Sequence, residues 1–273
     1  EMPCMPTARL DCAVAATAGF LYVLGGRDGS AAEEALPRAE RLDVARGQWQ
    51  VLPDMLSPRF GGAAVARGGI VWVAGGFGDT ALGEVELYDA CAGAWVALQS
   101  MGGARGCAAA AMVDGTIYIA GGSDAGYRSL DTVEQLFCTV EFGLEFGQPW
   151  TLVPHMPTAR SSCSAAGCSG ALVVLGGVGD SWLPLGTVEL LHISTGRWDN
   201  LAQMDAPRRS FASSAIQGII YVLGGLTHAG RPTSTVERLD VAACVENPRA
   251  ERWKYMPQLA FPRASCGAAA SWV

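Results

Sequence analysis

The chain has 273 residues, of which 50% are hydrophobic and 16% charged, so it can bury a sizeable core and is not a disordered chain. Its formal net charge of −7 argues against a phosphate-backbone binder, and we expect no nucleic-acid partner. Nine cysteines without a C-x-x-C pair fit reduced thiols in a cytoplasmic protein, and no apolar stretch predicts a membrane partner.

The first fifty or so residues contain four short segments bounded by turn residues. Small residues follow Arg9, an apolar run leads into Gly25 and Gly26, a third segment contains Glu40 and a fourth contains Trp49. Short segments of this kind, separated by turn signals, predict four β-strands.

The same four segments recur in chain order at intervals of about 50 residues. The glycine pairs are Gly25 and Gly26, Gly75 and Gly76, Gly121 and Gly122, Gly176 and Gly177, and Gly224 and Gly225. The glutamates are Glu40, Glu86, Glu134, Glu189 and Glu237, and the tryptophans are Trp49, Trp95, Trp150, Trp198 and Trp253. An arginine that follows a methionine opens each unit, at Arg9, Arg59, Arg105, Arg160, Arg208 and Arg263.

These columns resemble the kelch-repeat family over nearly the whole chain. A four-stranded unit of this length is one blade of a β-propeller, whose faces neighbouring blades must cover. We predict an all-β fold and a single propeller domain over residues 1–273. The blades are expected at about 5–54, 55–100, 101–155, 156–203 and 204–255, with the inner strand of a sixth blade in 256–273. Because the resemblance implies six blades, we expect the chain to be a fragment that lacks three strands of its last blade.

The repeated side chains carry different expectations. The glycine pairs, glutamates and tryptophans are predicted to be structural, the tryptophans through packing between blades. The six arginines stand just before the strands richest in small residues, which should be innermost, so they should ring one mouth of the central channel. Such a ring either captures carboxylate or phosphate groups or pairs with the repeated glutamates. The resemblance implies arginines near this mouth in kelch proteins that recognise acidic peptides.

The loops after the glycine pairs differ from unit to unit, and in kelch propellers similar loops build the partner-binding face. Tyrosine, tryptophan and arginine are the residue types enriched in interface hot spots. Our candidate contact residues in these loops are Arg27, Tyr127, Arg128, Trp182, His228 and Arg231.

The sequence contains no GxGxxG motif, phosphate-binding loop, nucleophile elbow or HExxH motif. Its three histidines occupy different positions in their units, so we predict no metal site, no cofactor and no catalytic residue. We predict a non-catalytic module that binds a protein or peptide at the loop face, with an acidic motif favoured. The resemblance implies a possible substrate receptor of a cullin-based ubiquitin ligase. The alternatives are a propeller enzyme or sugar-binding domain, oxidase-like or epimerase-like, and a cytoskeletal scaffold.

Overall fold

The computed structural model describes residues 3–29, 34–138, 149–247, 252–265 and 267. Within them, twenty strands and one short helix form an all-β fold. The strands are β1 Ala13–Thr17, β2 Phe20–Leu24, β3 Ala39–Asp43, β4 Gln48–Val51, β5 Ala63–Arg67, β6 Ile70–Ala74, β7 Val85–Asp89, β8 Ala94–Leu98, β9 Ala109–Val113, β10 Thr116–Ala120, β11 Val133–Phe137, β12 Thr151–Val153, β13 Ser164–Cys168, β14 Ala171–Leu175, β15 Val188–His192, β16 Arg197–Asn200, β17 Ala212–Ile216, β18 Ile219–Leu223, β19 Val236–Asp240 and β20 Lys254–Met256. The helix, α1, spans Val241–Glu246.

The strands form five antiparallel sheets of four, each made from consecutive strands in chain order. These sheets are the five predicted blades, arranged as a propeller. Tight turns set their first hairpins: Ala18 and Gly19 between β1 and β2 both have positive φ, at 52° and 78°. Two positive φ values define the turn whose twist matches paired strands, and glycine at the second position accommodates it without strain.

The strands β1, β5, β9, β13 and β17 adjoin one another in that order around the central channel. They are the strands rich in small residues, as the sequence predicts. Space explains the composition: a Cβ added to Gly167 of β13 would lie 2.1 Å from the carbonyl oxygen of Met112 in β9. Side chains larger than a methyl group have little room where neighbouring inner strands come this close.

A belt of backbone hydrogen bonds joins the blades at one mouth of this channel. Each N–H donates to the carbonyl of the preceding belt residue over 2.7–3.0 Å. All the belt residues have left-handed φ values between 50° and 59°. In order they are Asp11, Gly61, Cys107, Ser162, Ser210 and Ser265. The belt therefore has six positions, although five blades are described.

The predicted inner strand of a sixth blade lies, apart from Gly267, outside the described residues. Gly267 itself lies beside β1, because a Cβ added to it would be 2.2 Å from Cγ2 of Val14. The predicted blade boundaries and the partial sixth blade therefore stay predictions.

The hydrophobic core is divided into layers between neighbouring blades. Tyr22 and Leu24 of the first blade, for example, share one cluster with Val71, Val73 and Tyr88 of the second. The repeated tryptophans add a polar link between units: the indole Nε1 of Trp95 donates to the carbonyl of Pro53 over 2.8 Å. Among the described residues, no helix is long and apolar enough to cross a membrane.

Candidate functional site

Five of the six repeated arginines lie buried inside the blades. In the second blade, Arg59 is 1% exposed, and its Nη1 donates to the carbonyls of Gly75 over 2.6 Å and of Glu84 over 3.1 Å. Its Nη2 donates to Oε1 of Glu86. The carboxylate of Glu86 also accepts the backbone N–H groups of Leu56 and Ser57 over 2.7 and 2.9 Å. Buried charges require such paired and hydrogen-bonded surroundings.

The same unit, which we call the Arg–Glu pair, recurs in all five blades. The pairs are Arg9 and Glu40 at 3.0 Å, Arg59 and Glu86, Arg105 and Glu134 at 2.6 Å, Arg160 and Glu189 at 2.9 Å, and Arg208 and Glu237. All ten side chains are buried. Burial lowers the pKa of the Arg105 guanidinium, and its attraction to Glu134 opposes that shift. For these five arginines the geometry supports mutual pairing rather than a ring of guanidinium groups open to a ligand.

Arg263, the sixth arginine of the column, is different. Its backbone occupies the repeated position, since its carbonyl accepts the N–H of Gly225 over 2.8 Å as Arg59 does from Gly26. Its side chain is nevertheless exposed. Of the six predicted arginines, Arg263 is thus the one whose side chain solvent reaches freely.

The glycine pairs are explained by the same contacts. A Cβ added to Gly25 would lie 2.2 Å from the carbonyl oxygen of Arg59, and Gly25 has a φ of 61°. The first glycine of each pair therefore allows the arginine of the next blade to approach the turn.

A cavity at the channel mouth is lined by the six belt residues and their neighbours, including Cys12 and Cys163. Burial raises the pKa of the Cys107 and Cys163 thiols to about 11. Thiols with such high pKa values are mostly protonated near neutral pH and are poor nucleophiles. Among the described residues, no cluster of histidine, cysteine, aspartate and glutamate could hold a metal ion.

A row of side chains in contact, which we call the aromatic row, crosses three blades on the face that carries the loops after the glycine pairs. We call this face the loop face. Arg27 donates to Oδ2 of Asp11 through Nε and Nη2 over 3.0 and 2.7 Å, and its Cζ lies 5.0 Å from the ring centroid of Phe60. Phe60 contacts Phe77 at 5.6 Å, and Phe77 stacks on Tyr127 at 5.4 Å. These separations are typical of favourable aromatic and cation–π pairs.

Of this aromatic row, sequence reasoning identified Arg27 and Tyr127 and missed Phe60 and Phe77. It also missed Gly106, where an added Cβ would lie 2.1 Å from Cε2 of Phe77. A usable signal was present, because Phe60 and Phe77 directly follow a repeated arginine and a repeated glycine pair. Those two positions form a β-bridge in this blade and in its neighbours.

Tyr127 and Trp182 lie at the same position of equivalent turns in the third and fourth blades. Each N–H closes its turn, donating to the carbonyl of Asp124 or of Gly179 over 2.9 and 3.0 Å. Both residues have left-handed backbones, with φ of 59° and 58°, and both are exposed, at 60% and 56%. In the fifth blade Gly230 holds this position with a φ of 65°.

The two turns contact each other. The N–H of Ser129 donates to Oδ1 of Asp180 over 3.0 Å, and the Ser129 hydroxyl donates to the carbonyl of Val178 over 3.2 Å. Tyr127 and Trp182 therefore lie on two turns that contact each other, and we call this pair of turns the aromatic patch.

A family model described as the kelch motif matches residues 8–56, 58–102, 104–136, 159–205 and 207–259. The chain belongs to the kelch family. Its fold is similar to a solved structure titled "Structure of YjhT", with a TM-score of 0.80 and 14% identity. That alignment covers 98% of this chain and 89% of the other, and at this identity it shows the fold alone. No curated protein matches the chain.

The kelch propeller separates the predicted contact residues into three places. Tyr127, Arg128 and Trp182 lie together on the third and fourth blades, and Arg128 is exposed. His228 and Arg231 lie on the fifth blade and are exposed as well. Arg27 is half-buried on the first blade, at the other end of the aromatic row from Tyr127.

Proposed function

We propose that this kelch propeller is a non-catalytic interaction module that holds a protein or peptide partner on its loop face, with Tyr127 and Trp182 as anchors. One observation carries the proposal: two large aromatic side chains are exposed at a turn position where the fifth blade has Gly230. A left-handed backbone costs about 1–2 kcal/mol for a residue with a side chain. Strain of this kind concentrates at functional sites.

The residue types support the same proposal. Tyrosine and tryptophan supply large contact areas with few rotatable bonds, and they dominate the binding energy of many interfaces. Exposed Leu183 lies next to Trp182 and extends the apolar part of the aromatic patch.

The raised thiol pKa values at the channel mouth argue against Cys107 and Cys163 as nucleophiles, and the absence of catalysis as a whole is part of the proposal. An enzyme or a sugar-binding domain stays an alternative that turnover or glycan-binding measurements would establish. The preference for an acidic motif now depends on the exposed Arg128, Arg231 and Arg263, because the other arginines of the column are buried.

We also propose a cytoplasmic location, because nine cysteines without a C-x-x-C pair fit reduced thiols. The role of substrate receptor in a cullin-based ubiquitin ligase is a narrower form of the proposal. It requires an adaptor domain on the same polypeptide, so the complete coding sequence tests it directly. An encoded BTB-like domain would support the role, and a coding sequence without any cullin-binding domain would remove it.

The interaction itself is tested by panning a displayed random-peptide library on the propeller and on the Tyr127→Gly/Trp182→Gly variant. Peptides that bind the first should lose about tenfold or more in affinity for the second, since such anchors contribute more than about 1 kcal/mol each. Tyr255→Gly is the matched control, because Tyr255 is 62% exposed on strand β20 and is not part of the aromatic patch. A library that yields no ligand sensitive to the double variant would contradict the proposal.

A further inference from the structure

We infer that the aromatic patch recognises a cationic segment of its partner, with an arginine side chain stacked on Tyr127 or on Trp182. This inference rests on the proposed function and specifies the chemistry of the partner. It differs from the acidic motif that the repeated arginines suggested.

One end of the aromatic row already carries a guanidinium supplied by the chain itself. This end, which we call the inner end of the row, is covered by Arg27, whose Cζ lies 5.0 Å from the centroid of the Phe60 ring. The outer end of the row is Tyr127, which stacks on Phe77 and is 60% exposed. A planar cation over an aromatic face gains about 0.5–1 kcal/mol at exposed sites and about 2 or more where water is excluded. A second guanidinium at the outer end would repeat the contact that the inner end makes within the chain.

The charges around the aromatic patch favour a cation. Residues 123–131 and 178–186, which form the two turns, contain three aspartates and one arginine: Asp124, Asp131, Asp180 and Arg128. Backbone N–H groups hold two of the carboxylates in place. Asp124 accepts from Gly126 and Arg128 over 2.8 and 2.9 Å, and Asp180 accepts from Ser129 over 3.0 Å. Fixed carboxylates beside an aromatic surface attract a cation and repel an acidic peptide.

The equivalent turn of the fifth blade provides a contrast within the same molecule. Residues 226–235 contain His228 and Arg231 and no carboxylate, and Gly230 replaces the aromatic residue. Neither the stacking surface nor the negative charge is present there. The cationic segment is therefore expected on the third and fourth blades.

The test uses two short synthetic peptides of glycine and serine that differ only in carrying two arginines or two glutamates. Binding is measured by calorimetry and by the ¹⁹F signal of 5-fluorotryptophan at Trp182, assigned with Trp182→Phe. We expect the arginine peptide to bind about tenfold more tightly than the glutamate peptide, because one well-placed cation–π contact and the local negative charge together supply a difference of that size. Trp182→Gly and Tyr127→Gly should each weaken it severalfold, Asp180→Asn should weaken it less, and Tyr255→Gly should leave it unchanged. Urea unfolding of each variant shows that the fold is retained.

Three outcomes would overturn the inference: tighter binding of the glutamate peptide, arginine-peptide binding that ignores both aromatic variants, or no binding of either peptide at millimolar concentration. The peptide library separates this failure from failure of the proposed function. Selected ligands that are acidic or uncharged, yet still depend on Tyr127 and Trp182, would leave the interaction module standing and refute the cationic partner.

Discussion

The Arg–Glu pairs and the aromatic patch both place side chains in energetically unfavourable surroundings, but the surroundings are opposite: the pairs bury charges, and the patch exposes large aromatic rings. The pairs place ten charged residues in the interior, where each arginine meets a glutamate and backbone carbonyls. The aromatic patch places two large apolar residues in solvent on a left-handed backbone. The repeated charged residues are buried in pairs, whereas Tyr127 and Trp182 expose large side chains at a position where the fifth blade has Gly230. In this propeller, repetition therefore marks structure and irregularity marks the candidate site.

Breaking one Arg–Glu pair should have the largest effect. Arg59→Ala leaves Glu86 buried without its guanidinium, and removing one partner of a buried ion pair costs about 3–5 kcal/mol. The free energy of unfolding, measured with urea, should fall by about that amount. Arg263→Ala is the matched control, because the same column position is exposed there and the change should stay within about 0.5 kcal/mol.

The double variant Arg59→Leu/Glu86→Leu sharpens this result. It removes both charges from the same interior site, so part of the lost stability should return. A loss for Arg59→Ala as small as the roughly 0.5 kcal/mol expected for Arg263→Ala would mean that the buried pair contributes nothing to the scaffold.

Gly106→Ala should have the next largest effect. The added Cβ would lie 2.1 Å from the ring of Phe77, so the ring must move away from its place between Phe60 and Tyr127. Overpacking of this kind costs about 1–3 kcal/mol. Urea unfolding should show this loss, and Phe77→Ala should relieve it, so the two changes should be strongly coupled in a double-mutant cycle. Additive effects would show that the Phe77 ring does not occupy this slot.

The sequence predicts the fold well because each blade repeats four recognisable segments. It leaves the arginines undecided, since a fixed position before the inner strand does not show whether a side chain turns toward Glu86 or toward the channel. The burial of five of these arginines beside their glutamates shows that their side chains turn toward the glutamates. The aromatic row is harder to predict, because Arg27 meets Phe60, and Phe77 meets Tyr127, only when neighbouring blades pack. The left-handed backbone at Tyr127 and Trp182 becomes recognisable once Gly230 is aligned with them.

Exchanging glycine and tryptophan at the equivalent turn position should change stability less. The change should have opposite signs in the fourth and fifth blades. Gly230→Trp introduces a side chain at a φ of 65°, where an added Cβ meets no atom within 4 Å, so backbone strain alone should cost about 1–2 kcal/mol. Trp182→Gly relieves the same strain. Glycine also makes the unfolded chain more flexible, which offsets about 0.5–1 kcal/mol of the stability gained. Thermal unfolding should therefore show Gly230→Trp destabilised and Trp182→Gly unchanged or slightly more stable. A clear loss of stability in Trp182→Gly would assign Trp182 to the scaffold.

The smallest effect is expected in the Arg–Glu pairs of the first and fourth blades, where a proline, Pro6 or Pro157, follows the methionine. In the second blade the residue after the methionine, Leu56, donates its N–H to Glu86 over 2.7 Å. In the fourth blade this residue is Pro157, which has no N–H to donate. Within the described residues, neither carboxyl oxygen of buried Glu189 accepts a hydrogen bond.

Pro157→Leu should supply the missing donor. A hydrogen bond to a charged group contributes about 1.5–3 kcal/mol, and loss of the proline's rigidity takes back about 0.4–1 kcal/mol. Urea unfolding should then show a net gain of about 1 kcal/mol. Pro257→Leu makes the same exchange after Met256, where no described glutamate is paired with Arg263, so that variant should show only the loss. If both variants lose stability equally, the buried carboxylate of Glu189 does not limit the stability of its blade, and the five pairs are energetically equivalent despite their different donors.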